Sequence, residues 1–179
     1  MLSRSFALTS GLAVALLAWP SASVADEKSD RTKEVKEAVA LFQEADTTLA
    51  DTLAKAVGYA VFPKVGKGGL GIGGARGSGQ VMEKGTVVGA TTLTQVSIGL
   101  QAGGQVYAEL IIFENPKVLL DFKKGNFEFS AQMSAVAAAS GASRNAKFDH
   151  GVKVLTLAKK GLMGEASVGG QKFGFKTYK

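Results

Sequence analysis

Apolar residues recur at a spacing near 3.6 between Thr32 and Tyr59, which predicts an amphipathic helical region. The segment 46–48 is expected to break it in two, because Thr48 and Asp51 form a capping-box-like start. We expect the apolar stripe to pack on a sheet. The alternative, insertion into a membrane, is less favoured because an interfacial helix usually has a lysine-rich polar face. The main stripe positions are Val35, Val39, Phe42, Leu49, Leu53 and Val57.

After Pro63 the pattern changes to period two, which is typical of strands. Residues 95–101 alternate polar and apolar and predict a half-buried strand. A turn at Gly103-Gly104 is then expected to lead into Val106 to Phe113. That run is apolar on both faces, so it is predicted to be central in the sheet.

A short helix is predicted from Pro116 to Lys124, between an Asn115 N-cap and a glycine stop at Gly125. Alternation from Asn126 onward predicts a strand that includes residues 135–139, although their composition alone would favour helix. Further short strands are expected at Val154–Leu157, Glu165–Val168 and Lys172–Tyr178, with turns at Gly161 and Gly169-Gly170.

Fourteen of the 23 glycines lie between Gly58 and Gly104, most densely from Val65 to Gly79. Each glycine inside a helix costs about 1 kcal/mol relative to alanine, so this stretch is expected to form closely packed or bent strands. Residues 69–74 also satisfy G-x-G-x-x-G, a dinucleotide-binding pattern. However, the glycines continue where a helix should open, and the run 85–101 lacks the acid that such a fold needs. We therefore expect no cofactor.

The first 25 residues have the pattern of an export signal. Arg4 precedes an apolar core from Phe6 to Trp19, and small residues at Ser23 and Ala25 suit signal peptidase. The apolar core is short for a membrane span, so an uncleaved anchor is the lesser alternative. The mature chain is then expected to begin at Asp26 as one domain, without cysteine, in the periplasm or outside the cell.

Charge is divided unevenly along the mature chain. Residues 26–57 hold eight acids and five bases, whereas residues 58–179 hold seven acids and fifteen bases. A basic body with a net charge of +8 favours anionic partners such as phospholipid head groups. Nucleic acid is not expected as a partner, because the chain carries an export signal and no helix-turn-helix or zinc pattern.

Four motifs in order carry a family resemblance. They are the run Ala56 to Pro63, the glycine stretch after it, the run Ser97 to Gln105, and the run Lys159 to Gly164. Together they resemble the SYLF domain, a family of lipid-binding and actin-regulator proteins found in yeast actin patches and among exported bacterial proteins. The resemblance covers Val35 to Phe175.

The resemblance implies an α+β fold in which N-terminal amphipathic helices pack on a strongly curved, glycine-rich antiparallel sheet or barrel. The expected division is a signal peptide at 1–25 and a single domain at 26–179, with helices at about 27–57 and a β-rich body at 58–179. It also implies a binding module without established catalysis. Eukaryotic members bind phosphoinositides, and some bind actin, but an exported bacterial protein meets neither in its own cell. In the segment 134–145, Ala142 replaces the family's usual proline after Gly141.

Basic residues beside predicted glycine turns are the candidate lipid-binding positions, because lysines and turn backbone N–H groups can both reach phosphate. The alternative is that they serve solubility alone. The candidates are Lys64 and Lys67 before Gly68, Lys123 and Lys124 before Gly125, and Lys159 and Lys160 before Gly161.

Catalytic patterns are sparse. His150 is the only histidine and is expected to be a turn residue, because its neighbour Asp149 would seldom reach it within a strand. No metal-binding motif occurs, and no pair of carboxylates stands out. The sequence therefore favours a non-enzymatic, exported module that binds anionic phospholipid or phosphoinositide-like head groups. The alternative is a structural or stress-related envelope protein with a protein partner, and an enzyme comes third.

Overall fold

The computed structural model of the chain describes residues 24–125, 128–129 and 148–178, with side chains described except at 24–25, 99–101, 128–129 and 160–169. Its elements are α1 (Val24–Ala45), α2 (Leu49–Lys55), β1 (Gly58–Glu83), β2 (Thr86–Phe113), α3 (Pro116–Lys123), β3 (Glu128–Phe129) and β4 (Val152–Thr177). The described strands form one antiparallel sheet in the order β1-β2-β4-β3, so the predicted α+β class is confirmed. The predicted signal peptide lies outside the described residues, except for its last two positions at the start of α1.

The helical region breaks where the sequence predicted, between α1 and α2. Oδ1 of Asp46 accepts hydrogen bonds from the backbone N–H of Thr48 at 3.0 Å and from its hydroxyl at 2.7 Å. Thr48 occupies the N-cap position of α2, but its side chain makes no capping hydrogen bond. The predicted capping box is therefore wrong, because the Thr48 hydroxyl is turned back toward Asp46.

The apolar stripe of both helices packs on one face of the sheet, as expected. Val35, Phe42 and Leu49 are buried against a cluster that includes Leu110 and Leu155 of the central strands. Burying each large side chain contributes roughly 1.5–3 kcal/mol, so this contact anchors the helices. Among the helices described, none is both long and apolar enough to cross a membrane.

The strands are much longer than the sequence suggested. β1 has 26 residues, β2 has 28 and β4 has 26. The turns predicted at Gly103-Gly104, Gly161 and Gly169-Gly170 are wrong, since all of these glycines lie inside strands. Glycine also marks bends within strands, which explains the misreading. At Gly103, a φ of 120° places such a bend inside β2.

The sheet folds over on itself at Gly71, where φ is +71°. A Cβ at Gly79 would collide with the carbonyl oxygen of Val61, and one at Gly58 would lie 2.7 Å from the carbonyl oxygen of Met82. The two halves of β1 therefore face each other at backbone contact distance. The expected close approach of glycine strands is confirmed, and the G-x-G-x-x-G residues lie within β1 with no helix opening after them.

We call the two halves layer A and layer B. Layer A comprises residues 58–69, 103–113 and 152–162, and layer B comprises residues 72–83, 86–98 and 166–177. Helices α1 and α2 cover the outer face of layer A. In the described residues β1 and β3 form the two edges and no pairing joins them, so these strands make an open, folded sheet and not the barrel that was the other expectation.

Aromatic rings fill the space between the layers at the end away from the fold. The ring centroids of Phe62 in layer A and Phe173 in layer B are 5.8 Å apart. Phe122 of α3 lies 5.1 Å from Phe173 and 4.9 Å from Phe113. Helix α3 thus closes this open end of the folded sheet.

The ends of α3 follow the sequence prediction. Oδ1 of Asn115 accepts a hydrogen bond from the N–H of Val118 at 3.1 Å, and Pro116 occupies the first turn. Gly125, with φ +72°, follows the C-cap Lys124. The central position predicted for Val106 to Phe113 is confirmed as well, because β2 lies between β1 and β4.

The strand predicted from Asn126 onward is confirmed at Glu128–Phe129, which pairs with Lys172 and Gln171 of β4. Residues 126–127 and 130–147 lie outside the described residues. The predictions for the small-residue run 135–139 and for the loop at 134–145 fall there.

Candidate functional site

Lys64 lies inside β1, at a bulge where the register with β2 shifts between Phe62 and Val65. Its Nζ is 2.6 Å from Oε1 of Glu34 on α1. This hydrogen bond, with the negative charge of Glu34, raises the pKa of Lys64. The lysine therefore links α1 to β1, and its charge is partly balanced.

Lys67 also lies within β1 and pairs in register with Gln105 of β2. The turn predicted before Gly68 is therefore wrong, because this glycine belongs to the same continuous strand. Lys67 follows Val65 by two positions and shares its inner face. From there its positive charge acts on the buried Glu109.

Lys159 and Lys160 lie within β4, so the turn predicted before Gly161 is wrong as well. Lys159 is exposed at a bulge, where the register with β2 shifts between Val106 and Tyr107. The side chain of Lys160 lies outside the described residues. Bulges bend a strand without ending it, which accounts for the missing turn.

Lys123 and Lys124 occupy the predicted basic end of α3. Nζ of Lys123 is 2.6 Å from Oε1 of Glu83 and 5.5 Å from the centre of the Phe175 ring. Lys124 is exposed. Lys123 therefore stands at the open end of the folded sheet.

The predicted lysines do not gather in one place. Lys159 follows Val152, the first residue of β4, by seven positions, or roughly 23 Å along the strand. Lys123 lies at the end of the sheet where β4 begins, beside Glu83 of layer B. Lys64 lies next to α1 and, by the register, nearer to Lys159 than to Lys123, because Val65 pairs with Tyr107 and Tyr107 pairs with Ala158.

A second basic surface, which the sequence did not reveal, lies on the outer face of layer B. Along these strands Ala75, Leu93 and Phe173 point inward, so their neighbours point outward. Three exposed bases lie on this outer face, namely Arg76, Lys172 and Lys176. The backbone of Glu128 in β3 pairs with Lys172.

The register explains why these bases adjoin. Arg76 pairs with Thr94, and Thr94 pairs in turn with Lys172, so the two bases share one row across the sheet. Lys176 follows four residues along β4 on the same face. The spacing of Lys172 and Lys176 was a sequence signal for this face, whereas the place of Arg76 depends on the pairing of distant strands.

The strand at residues 95–98 is half-buried, as predicted, but its polar face is the covered one. Gln95 and Ser97 are 7% and 1% exposed, whereas Val96 and Ile98 are 61% and 66% exposed. The usual arrangement in water is the reverse. Near the fold, the interior is thus polar and the outer face apolar.

A buried polar cluster joins the layers between this region and the aromatic rings, where Glu109 pairs with Phe62. Nε2 of Gln171 in layer B donates hydrogen bonds to Oε2 of Glu109 in layer A at 3.0 Å and to Oε1 of Gln95 at 3.3 Å. Burial raises the pKa of Glu109 to about 7, while the Gln171 hydrogen bond and the charge of Lys67 oppose the rise. The carboxyl therefore titrates near neutral pH.

His150 is an exposed turn residue, as expected, with φ 49°. Its Nδ1 lies 2.8 Å from Oδ1 of Asp149. The turn permits this contact, which two neighbouring residues in a strand would seldom make. In the part of the chain that the structure describes, no group of three or more histidine or acidic side chains is arranged to hold a metal.

Comparisons with known proteins agree with the motifs quoted above. Residues 94–177 match the family model described as "Ysc84: Las17-binding protein actin regulator". Beta cell expansion factor A from Aeromonas veronii is 30% identical over 121 residues, which is 66% of this chain and 46% of that protein. The match thus spans about half the length of this curated relative.

Proposed function

The chain belongs to the Ysc84 (SYLF) family through residues 94–177, and from this premise we propose that it is an exported, non-enzymatic module that binds anionic phospholipid head groups. The family is known as a lipid-binding and actin-regulator domain and is not a known enzyme family. Lipid is the family ligand that an exported protein can reach.

The observation that carries the proposal is the outer face of layer B. Arg76, Lys172 and Lys176 are exposed on it. A base close to an anionic membrane contributes about 1 kcal/mol, so three bases can support reversible attachment. Separated charges on one face suit a lipid surface better than a small soluble anion, which needs converging donors.

The six lysines chosen from the sequence have a supporting role in this proposal. Lys124 and Lys159 are exposed, and all six add to the net charge of +8 on residues 58–179. Such a field attracts an anionic membrane over a distance of about 8–10 Å at physiological salt, without any specific contact.

Export is the second part of the proposal, and it places the protein in the periplasm or outside the cell. It rests on the signal pattern at residues 1–25. Expression with this segment, followed by cell fractionation and N-terminal sequencing, tests it. A mature N-terminus at Asp26 is expected, and an intact N-terminus in the cytosolic fraction would contradict it.

Co-sedimentation with vesicles tests lipid binding. We expect little binding to pure phosphatidylcholine, binding that rises with the fraction of phosphatidylglycerol or cardiolipin, and release by added salt. Equal binding to neutral and anionic vesicles would contradict the electrostatic mechanism. Capture of an envelope protein without any dependence on lipid would favour the alternative, a structural or stress-related protein.

A further inference from the structure

Four large apolar side chains are exposed where the sheet folds over, and we call this set the apolar tip. Leu70, Ile72, Val96 and Ile98 are 83%, 69%, 61% and 66% exposed. Ile72 pairs directly with Ile98, and Val96 is the next outward position along β2. Leu70 precedes Ile72 across the fold at Gly71. A single exposed apolar residue is ordinary, whereas an adjoining set marks an interaction surface.

The interior beneath the apolar tip is polar. Gln95, Ser97 and Gln171 are buried there, together with Glu109. The polar part is short, because Phe62, which pairs with Glu109, and Phe173, two residues beyond Gln171, fill the interior farther from the tip in the usual way. Along the sheet, the inner face thus changes from apolar to polar toward the fold, and the outer face becomes apolar there. An apolar outer face over a polar interior is the arrangement expected of strands that contact lipid.

The charge around the apolar tip indicates which partner it fits. No aspartate or glutamate occurs from Gly58 to Met82 or from Lys84 to Ala108, which includes every residue of the tip. In β4, the third strand at the fold, Glu165 pairs with Gln101 and is the nearest acid in the register. Arg76 lies four residues beyond Ile72, or roughly 13 Å along the strand, and Lys172 shares its row. An apolar end followed by a basic row matches the order of acyl chains and phosphates in an anionic bilayer.

The backbone at the apolar tip permits shallow entry into a bilayer. At the fold, β2 stays paired with β4, as in Gly99 with Ser167. Its pairing with β1 skips residues 99–101, because the register shifts between Leu70 and Ile72. β1 is an edge strand, however, and its outer N–H and C=O groups need water or head groups. This limits insertion to about 5–10 Å, the depth of the boundary between head groups and acyl chains.

We propose that the apolar tip inserts into the interface of anionic bilayers while Arg76 and Lys172 contact the phosphates behind it. The inference deepens the proposed function and rests on it, since insertion requires that the protein binds membranes. It differs from attachment by charge alone, in which the tip stays in water. A second copy of this chain is the competing occupant, and it would cover the tip without lipid.

Fluorescent labelling distinguishes these outcomes. The chain contains no cysteine, so a single Ile72→Cys or Ile98→Cys substitution can carry the environment-sensitive fluorophore NBD. Leu120→Cys is the matched control, because Leu120 is exposed at 49% but lies on α3 at the other end of the fold. With phosphatidylglycerol vesicles we expect a blue shift at positions 72 and 98 and none at 120. Doxyl groups at carbon 5 of the lipid chain should quench these labels more than groups at carbon 12.

Substitution of the side chains gives an independent readout. Ile72→Asn with Ile98→Asn should weaken vesicle binding by about a hundredfold or more, because two exposed apolar side chains no longer leave water. Leu120→Asn should leave binding unchanged. Both variants should keep the wild-type melting temperature, because the substituted side chains are exposed.

Each outcome decides a separate point. Vesicle binding with labels at 72 and 98 that remain in water would overturn tip insertion and leave the proposed function standing. Absence of vesicle binding would overturn both. A blue shift without vesicles that grows with protein concentration, together with a dimer in sedimentation, would show that a second copy covers the tip.

Discussion

Gln171 and Glu109 join the two layers of the folded sheet through a hydrogen bond of 3.0 Å from Nε2 to Oε2. The other oxygen of Glu109, Oε1, is buried without a hydrogen-bond partner in the structure, and so is Oε1 of Gln171. A buried carboxylate with one unsatisfied oxygen is costly, whereas a protonated carboxyl carries no net charge into the interior. Burial therefore favours the neutral form of Glu109, although the Gln171 hydrogen bond by itself favours the charged form.

Stability should consequently fall as pH rises. Burial raises the pKa of Glu109 from 4.5 to about 7 in the folded protein. Between these values the folded state keeps a proton that the unfolded chain has lost, so the free energy of unfolding decreases with pH through this window and levels off above it. The expected loss is about 3 kcal/mol, measurable by urea denaturation at pH 4.5 to 8.

Glu109→Gln should remove this dependence, because the amide is a neutral isostere of the protonated acid. We expect the variant to exceed the wild type in stability at pH 8 and to match it near pH 4.5. Glu114→Gln, at an exposed position, is the control for the loss of one negative charge. A wild-type pH profile that persists in Glu109→Gln would show that another group causes it.

Gly79 should be intolerant of any side chain. A Cβ at this position would overlap the carbonyl oxygen of Val61 in the opposite layer, so Gly79→Ala must push the layers apart. Overpacking of this kind costs about 1–3 kcal/mol or more, and we expect the upper end because the obstacle is backbone. Gly66→Ala is the matched control in the same strand, since a Cβ there meets no atom within 4 Å. Equal melting temperatures for the two variants would contradict the close approach of the layers.

The N-cap of α3 gives a local test. Asn115→Ala removes the acceptor for the N–H of Val118 and should lower the free energy of unfolding by about 1 kcal/mol. Asn115→Asp keeps an acceptor and should cost much less. If urea denaturation gave the same loss for both, the polar contact of this cap would not be what holds the helix.

The features that the sequence predicted well are local ones. The cap at Asn115, the glycine stop at Gly125 and the break at Asp46 each depend on a few neighbouring residues. The family motifs were also readable, because they are short runs in a fixed order. Signals confined to one turn or one run depend little on the rest of the chain, but they can compete with each other: the capping box at Thr48 was wrong because its hydroxyl bonds Asp46 instead.

The misread features depend on distant contacts. Gly103 and Gly161 resembled turns because a glycine at a bend and a glycine at a chain reversal have the same local signature. The inward orientation of Gln95 follows from layer B folding over layer A, which brings Gln171 and Glu109 to it. Periodicity identifies the two faces of a strand, but it does not tell which face the fold covers.

The two sets of bases should contribute unequally to vesicle binding. Changing Arg76, Lys172 and Lys176 together to glutamine removes three charges from one face. Changing Lys64, Lys124 and Lys159 removes the same charge from scattered places. The first variant should bind phosphatidylglycerol vesicles about a hundredfold more weakly, at about fivefold per base, because these bases reach the phosphates together. The second should lose about fivefold in all, through the weaker long-range field.

Co-sedimentation at two salt concentrations measures both losses of binding. The salt dependence separates direct contact between bases and phosphates from long-range attraction by the net charge. The outer-face variant should retain little response to salt, because the charges that salt screens have been removed from the membrane contact. The scattered variant should respond to salt much as the wild type does. Circular dichroism melts verify that both variants are folded, since all six side chains are exposed. If the scattered variant lost more binding than the outer-face variant, the lysines chosen from the sequence would be the lipid contacts and layer B would face water.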